Sequence, residues 1–367
     1  MEDGWIRVRP SEACPGLETP KLQRPQGVVV DTDSPHLICW SAELTDVEPA
    51  SLCSVFLCGT GGTPVENNPC TEFLSSSRQQ GLSTIGLCYQ WGNLVDAERN
   101  AACATHGGQL RVEAYHRDVL FGGSDSGLVD VTEGNSVVER LVSLLEHLSR
   151  TRPAPEAQGW AGFLQGPQGA RTLRWELFIF SGHSQGSGHA AYLAKLKPLA
   201  GALFISGPQE LMPTTSDAEQ SWLSMGAFAT QNVLAFAHVD EENTSALIRS
   251  CWRAIPPLQF SPPERDSASF DRHNNAAGVS LESKPLHRTF SSDLAPAEAL
   301  PVIAAGRPNH MSTVSDSITP RDTATGLPVY AALWGQLFAL LAAIARTSNG
   351  HDSTKVPGTL AIKFSRI

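Results

Sequence analysis

The chain has 367 residues, of which 41% are hydrophobic, and a mean hydropathy of -0.14, a composition typical of a globular protein with a sizeable core. Its formal charge of -10 and pI near 5.6 argue against nucleic acid or an anionic membrane surface as the main partner. No apolar run reaches the roughly 18 residues that a membrane-spanning helix needs. The N-terminus also lacks the basic and then apolar pattern of a signal peptide, so we expect a cytoplasmic protein with no integral membrane segment.

The eight cysteines form no C-x-x-C pair, and several lie inside apolar, strand-like runs. A free thiol in such a run behaves as a small hydrophobic group. We therefore expect reduced thiols in the core, while a bridge between Cys70 and Cys103 remains open.

The first strong element is a β-rich segment at 51–58 that runs directly into the turn Gly59-Thr60-Gly61-Gly62-Thr63-Pro64. This turn lacks the Gly-Lys-Ser/Thr of a phosphate loop, and Pro64 occupies the last glycine position of a dinucleotide turn. Two interpretations remain. One is a plain tight turn; the other is an oxyanion loop, in which the backbone N–H of Thr60 or Gly61 approaches a substrate oxygen.

Helix-like and strand-like segments alternate through the next part of the chain. The patterns predict a helix near 72–80, a strand at 82–89 and an amphipathic helix at 137–148. The polar stretch 90–133 between the last two is interpreted as loops and short helices near one face of a sheet.

A buried strand beginning at Trp175 leads into Gly182-His183-Ser184-Gln185-Gly186. This is the G-x-S-x-G pattern of a nucleophile elbow, whose glycines allow a turn so sharp that the serine is strained and its hydroxyl exposed. The next helix begins at the turn, so the N–H of Gln185 and its neighbours would point toward charge that forms beside Ser184.

The same letters permit a second interpretation, because Gly186-x-Gly188-x-x-Ala191 satisfies a dinucleotide fingerprint and Glu210 follows about 20 residues later. Two observations oppose a dehydrogenase: strand-like segments precede this turn, and no Tyr-x-x-x-Lys occurs in the chain. We expect no cofactor and no metal.

Beyond the elbow helix, strands are predicted at 202–208 and 232–240, and the second of these ends in acidic residues. The polar segment 212–224 between them suits a short cap over a pocket. Residues 261–296 are rich in Pro, Ser, Asn and charge, which indicates a long loop insertion.

The last predicted strand, at 299–305, leads to His310, and a closing helix is predicted at 333–346. Alternating strands and helices imply a mostly parallel sheet flanked by helices, with functional groups at the C-terminal strand ends. Ser184, Asp240 and His310 each follow a strand-like run, in that order.

With this elbow and this order of residues, the chain resembles the α/β-hydrolases over roughly 28–346. The resemblance implies Ser184 as nucleophile, His310 as base and Asp240 as acid, with oxyanion donors at Gln185 and at Thr60 or Gly61. Residues 1–27 and 347–367 would then be terminal extensions of one domain.

Rival residues remain for two of these roles. His183 and His189 are interpreted as structural, since His183 is adjacent to the nucleophile and should point away from it, and His189 lies on the predicted helix. The competing acids and histidines are Glu241, Glu242, Asp266, Asp271, Asp293, His273, His287 and His351.

The resemblance further implies a serine hydrolase that cleaves a small-molecule carboxylic ester through an acyl-enzyme. A thioesterase, lactonase, amidase or acyltransferase would use the same residues, and a non-catalytic ligand receptor on this scaffold is the alternative from another class. The oligomeric state is open.

Overall fold

The structure is a computed structural model, and it describes residues 4–23, 29–41, 52–66, 69–91, 96–105, 108–210, 221–242, 244–258, 268–270, 288–292, 294–297 and 307–348. The strands in these ranges are β1 Ile6–Val8, β2 Lys21–Gln23, β3 Val29–Asp31, β4 His36–Cys39, β5 Cys53–Leu57, β6 Ser83–Leu87, β7 Leu164–Gln165, β8 Thr172–Leu173, β9 Phe178–His183, β10 Gly201–Ile205, β11 Val233–His238, β12 Ala268–Phe270 and β13 Thr289–Ser292. The helices are α1 Pro10–Ala13, α2 Thr71–Arg78, α3 Asp96–Thr105, α4 Gly108–Phe121, α5 Val137–Thr151, α6 Glu156–Ala161, α7 Gln185–Leu196, α8 Ser245–Ala254, α9 Pro308–Ser312 and α10 Ala331–Ser348.

Nine of the described strands form one sheet in the order β1-β4-β6-β5-β9-β10-β11-β13-β12. β4 runs antiparallel to both β1 and β6, and every other pair is parallel. The expected mostly parallel sheet is therefore confirmed. Because parallel strands end at the same edge of a sheet, the residues that follow β5, β9, β10 and β11 lie close together.

Helices cover both faces of the sheet, and each face has its own apolar core. α5 illustrates why these sequences form helices. Ser136 caps it by accepting a hydrogen bond from the Glu139 N–H at 3.2 Å, and its buried stripe includes Leu141, Leu144 and Leu148. On the other face, Trp334 of α10 packs edge-on against Phe73 of α2.

Three elements differ from the sequence expectations. β1 pairs with β4, with Ile6 opposite Ile38, so part of the expected N-terminal extension builds the edge of the sheet. Within the expected insertion at 261–296, β12 and β13 are strands, and β13 continues the sheet beside β11. The strand predicted at 299–305 lies outside the described residues.

The reason for the missed β13 is its composition, Thr-Phe-Ser-Ser, in which Phe290 is the only large apolar side chain. Such a strand is stabilised by pairing with β11 more than by its own hydrophobic pattern. The helices were easier to predict: α5 begins at Val137, and α10 spans the whole of 333–346. Most of the cap expected at 212–224, namely residues 212–220, lies outside the described part of the chain.

Candidate active site

Ser184 joins β9 to α7 and has φ 54° and ψ -119°, a strained backbone for a residue with a side chain. Its N–H donates to the Ile205 carbonyl of β10 at 2.9 Å, which fixes the turn. A Cβ at Gly182 would overlap the Gly186 carbonyl, and one at Gly186 would overlap the Leu57 carbonyl. Both glycines of the elbow are thus required by close backbone approach.

The glycine turn after β5 lies directly against the elbow. A Cβ added at Gly59 would be 3.1 Å from the Ser184 Cβ and 3.0 Å from Nδ1 of His183. The turn is closed by the Gly62 N–H, which donates to the Gly59 carbonyl at 3.0 Å. Thr60 and Gly61 therefore lie within a turn that adjoins Ser184, and Gln185, the residue after Ser184, is the first residue of α7.

His310 lies on α9, and its Nδ1 is 2.7 Å from Oε2 of Glu241. Both side chains are almost completely buried, at 4% and 0% exposure. With the proton on Nδ1, this ring donates to the carboxylate and leaves Nε2 as an acceptor. The pair has the geometry in which a carboxylate orients a general base.

The carboxylate that faces His310 belongs to Glu241 and not to the expected Asp240. Asp240 is exposed, and its carbonyl, not its carboxylate, accepts a hydrogen bond from the Asn309 Nδ2 at 2.8 Å. The chain turns at residues 239–240, directly after β11. Because of this turn, the carboxylate that faces His310 is that of Glu241, one residue beyond Asp240. Glu241 is one of the competing acids that the sequence leaves open.

Burial raises the pKa of Glu241 to about 7, although the Ser206 hydroxyl, His183 and Arg307 favour its ionised form. Burial also lowers the pKa of His310 well below its ordinary value, and the Arg307 guanidinium adds to this effect while Glu242 opposes it. His310 is therefore neutral near pH 7, which is the state that a general base needs.

His183, expected to be structural, contacts the backbone of His310. Its Nε2 donates to the His310 carbonyl at 3.0 Å, and the two rings lie 4.6 Å apart. Burial lowers the pKa of His183 to about 3, so the ring is neutral and donates through Nε2. His183 thus ties α9 to the elbow.

His189, the other histidine interpreted as structural, belongs to a buried polar cluster behind the elbow. Its Nδ1 is 3.0 Å from Nδ1 of His116, whose Nε2 is 3.0 Å from Oε2 of Glu210. Arg99 completes the cluster at 3.3 Å from the same carboxylate oxygen. Glu210 is engaged by these side chains and is not placed to bind a ribose, which removes the support for the dinucleotide interpretation.

In the described part of the chain, no group of three His, Cys, Asp or Glu residues is arranged to hold a metal ion. All eight cysteines lie within the described residues and none of them forms a disulfide, so Cys70 and Cys103 are not bridged. Among the described helices, none combines the length and the apolar character that crossing a membrane requires.

The order of the sheet and the elbow between β9 and α7 define the α/β-hydrolase fold. No family model and no curated protein matches the chain. Among solved structures, it is similar to a dienelactone hydrolase from Anabaena variabilis ATCC 29413, with a TM-score of 0.36, 12% identity, and coverage of 88% of this chain and 96% of that one. The esterase domain of a Rhodothermus marinus protein gives a TM-score of 0.33 and 12% identity over 90% and 98%. Oligopeptidase B from Leishmania major gives 0.38 and 8% over 94% and 37%.

Proposed function

We propose that the protein is a serine hydrolase that cleaves a small-molecule carboxylic ester through an acyl-enzyme intermediate. Ser184 is the nucleophile, His310 the general base and Glu241 the acid. The observation that carries the proposal is the 2.7 Å contact of His310 with a buried carboxylate, on a helix tied to the strained elbow by His183. Strain of this kind is costly and is concentrated at functional sites.

In the first half of the reaction, Oγ of Ser184 attacks the ester carbonyl and its proton passes to Nε2 of His310. The Glu241 carboxylate, 2.7 Å from Nδ1, stabilises the imidazolium that forms. The carbonyl oxygen becomes an oxyanion, to which the N–H of Gln185 and that of Thr60 or Gly61 donate. Each such donor contributes about 3–4 kcal/mol to the stability of the transition state.

Collapse of this intermediate breaks the bond to the alcohol, which leaves with the proton from His310, and the acyl group remains on Ser184. In the second half, His310 takes a proton from water, which attacks the acyl-enzyme. The serine then leaves with that proton, so that the acid product is released and the enzyme is restored.

Thioesters, lactones and amides would react through the same groups, so the acyl substrate class is set by the pocket and not by these residues. Two features argue against a non-catalytic receptor, because a protein that only binds a ligand would not need them. One is the strained backbone of Ser184, and the other is the buried Glu241, whose ionised form is costly there.

Hydrolysis of p-nitrophenyl esters of increasing acyl length tests the proposal and narrows the substrate. The variant Ser184→Ala should lose this activity. It should retain the wild-type melting temperature, because removal of one hydroxyl group leaves no sizeable cavity. A residual rate of up to ~10³–10⁴ over water is compatible with the remaining oxyanion donors. Turnover of the alanine variant near the wild-type rate would rule out Ser184 as nucleophile.

A further inference from the structure

The helix that bears His310 begins without a cap of its own. Its N-cap residue is Arg307, which makes no side-chain cap hydrogen bond, and its first residue, Pro308, has no N–H. The N–H groups of Asn309 and His310 therefore need acceptors from outside the helix.

Glu242 supplies both acceptors. Its Oε1 accepts from the Asn309 N–H at 2.8 Å, and its Oε2 accepts from the His310 N–H at 3.2 Å. The two oxygens of one carboxylate thus satisfy two successive backbone donors. The negative charge also lies at the positive end of the helix, where it is favourable.

Two neighbours of Glu242 in sequence, Asp240 and Thr244, hold the same helix at further points. The Asp240 carbonyl accepts from the side chain of Asn309, and the Thr244 hydroxyl accepts from Nη2 of Arg307 at 2.6 Å. Two consecutive residues therefore fix one histidine: Glu241 binds its ring and Glu242 its backbone N–H. The distance from His310 to Ser184 depends on both.

We propose that Glu242 is a positioning residue, which places His310 for proton transfer without itself touching the substrate. This inference rests on the function proposed above. A shift of about 1 Å in a catalytic group can cost roughly 10²-fold in rate. Loss of Glu242 should therefore lower kcat through the position of α9, while substrate binding is little affected.

The test compares Glu242→Gln with Asp240→Asn, its matched control in the same loop. Glutamine presents an NH₂ group to one of the two backbone donors, so α9 must move. We expect kcat to fall by roughly 10- to 100-fold with KM within about twofold of wild type. Glu242→Asp, which keeps both oxygens on a shorter side chain, should fall between Glu242→Gln and wild type. Rates are expressed per active site titrated with a fluorophosphonate, so that misfolded protein is not counted.

The pH profile separates positioning from a loss of structure. The charged and titratable groups that face His310 are Glu241, Glu242, Arg307 and His183. Glu242 raises the pKa of His310, which titrates as a pair with Glu241, so neutralising Glu242 should move the acid limb of kcat/KM to lower pH. Glu242→Asp retains the charge and should leave the limb in place.

The inference is overturned if Glu242→Gln and Asp240→Asn have the same turnover per titrated site and the same pH for the acid limb of kcat/KM. Should Glu242→Gln fail to fold, Glu242→Asp decides instead: a folded variant with the wild-type kcat would overturn the inference, and a several-fold loss with unchanged KM would support it. If the wild-type enzyme neither reacts with the fluorophosphonate nor hydrolyses esters, the proposed function fails first, and the role of Glu242 with it.

Discussion

At the scale of residues, the candidate site depends on which of three successive carboxyl groups faces His310. Asp240 is exposed, Glu241 contacts the ring, and Glu242 caps the helix. Neighbouring side chains leave the backbone in different directions, so a displacement of one residue along the chain changes which group is buried. The three acids thus have three different environments and separable roles.

The first prediction concerns the acid. Glu241→Gln should lower kcat by roughly 10⁴-fold, because an amide favours the wrong tautomer of the imidazole. Asp240→Asn should remain within a few-fold of wild type, since its carboxylate is exposed. Steady-state kinetics of the two variants on one ester measures this, and a larger loss in Asp240→Asn would return the acid to Asp240.

The pH dependence follows from the same pair. Because burial raises the pKa of Glu241 to about 7, the pair takes up a proton as the pH falls through that range. The protonated pair cannot both accept the serine's proton and stabilise the resulting cation. We expect kcat/KM of the wild type to fall about tenfold per pH unit below about 7. A profile that is flat down to pH 5 would contradict this assignment.

At the scale of elements, the site is assembled by the ends of parallel strands. The turn after β5, the elbow after β9 and the loop after β11 meet at one edge of the sheet, and α9 closes over them. Gly59 marks the closest approach between the first two. Its position is set by the register that aligns Leu57 with Gly182.

Gly59→Ala tests this approach. The added methyl group would lie 3.1 Å from the Ser184 Cβ and 3.2 Å from the His183 carbonyl, so the turn must retreat from the serine. A displaced oxyanion donor should lower kcat by roughly 10²-fold. The matched control is Gly134→Ala, at a position far from the elbow in sequence. Its added methyl group would contact only Cδ1 of Leu17, at 3.1 Å. Equal activity in the two variants would argue against an oxyanion role for the turn.

The sequence predicted the parts of the fold that carry a strong local pattern. The elbow, the buried strand before it, α5 and α10 each have a hydrophobic period or a glycine signature. What it could not predict depends on contacts between distant segments. The strand β13 is recognised only by its pairing with β11. Which carboxylate faces His310, that of Glu241 or that of Asp240, depends on the position of α9. His183 was missed because its partner is a backbone carbonyl 127 residues away.

At the scale of the whole molecule, a buried ionic cluster connects the helices on one face of the sheet. Arg99 comes from α3 and His116 from α4, and both contact Glu210 beyond β10, while His189 of α7 contacts His116. Burial alone would raise the pKa of Glu210, but Arg99 and His116 lower it to about 2. The charges are paired, and removal of one partner would leave the others buried without compensation.

Glu210→Gln should therefore lower the free energy of unfolding by about 3–5 kcal/mol at pH 7. The folded-state pKa lies below the unfolded value, so this contribution is present above about pH 4.5 and is lost as the pH falls toward 2. The difference between variant and wild type in urea unfolding should accordingly shrink at low pH. Glu146→Gln, which removes a partly exposed pair with Arg150, is the control and should change stability by less than about 1 kcal/mol. A Glu210→Gln protein as stable as this control would show that the cluster contributes little.

The most direct measurement is the site of reaction with a fluorophosphonate, read by mass spectrometry of the intact protein and of its peptides. Reaction requires a serine whose hydroxyl is activated by a base. The strained elbow at Ser184, which His183 ties to the helix that bears His310, predicts one adduct, located on Ser184. The adduct should be absent in Ser184→Ala and should form far more slowly in Glu241→Gln. A wild-type protein that takes up no label, or one labelled elsewhere and equally in Ser184→Ala, would contradict the assignment of Ser184 as an activated nucleophile.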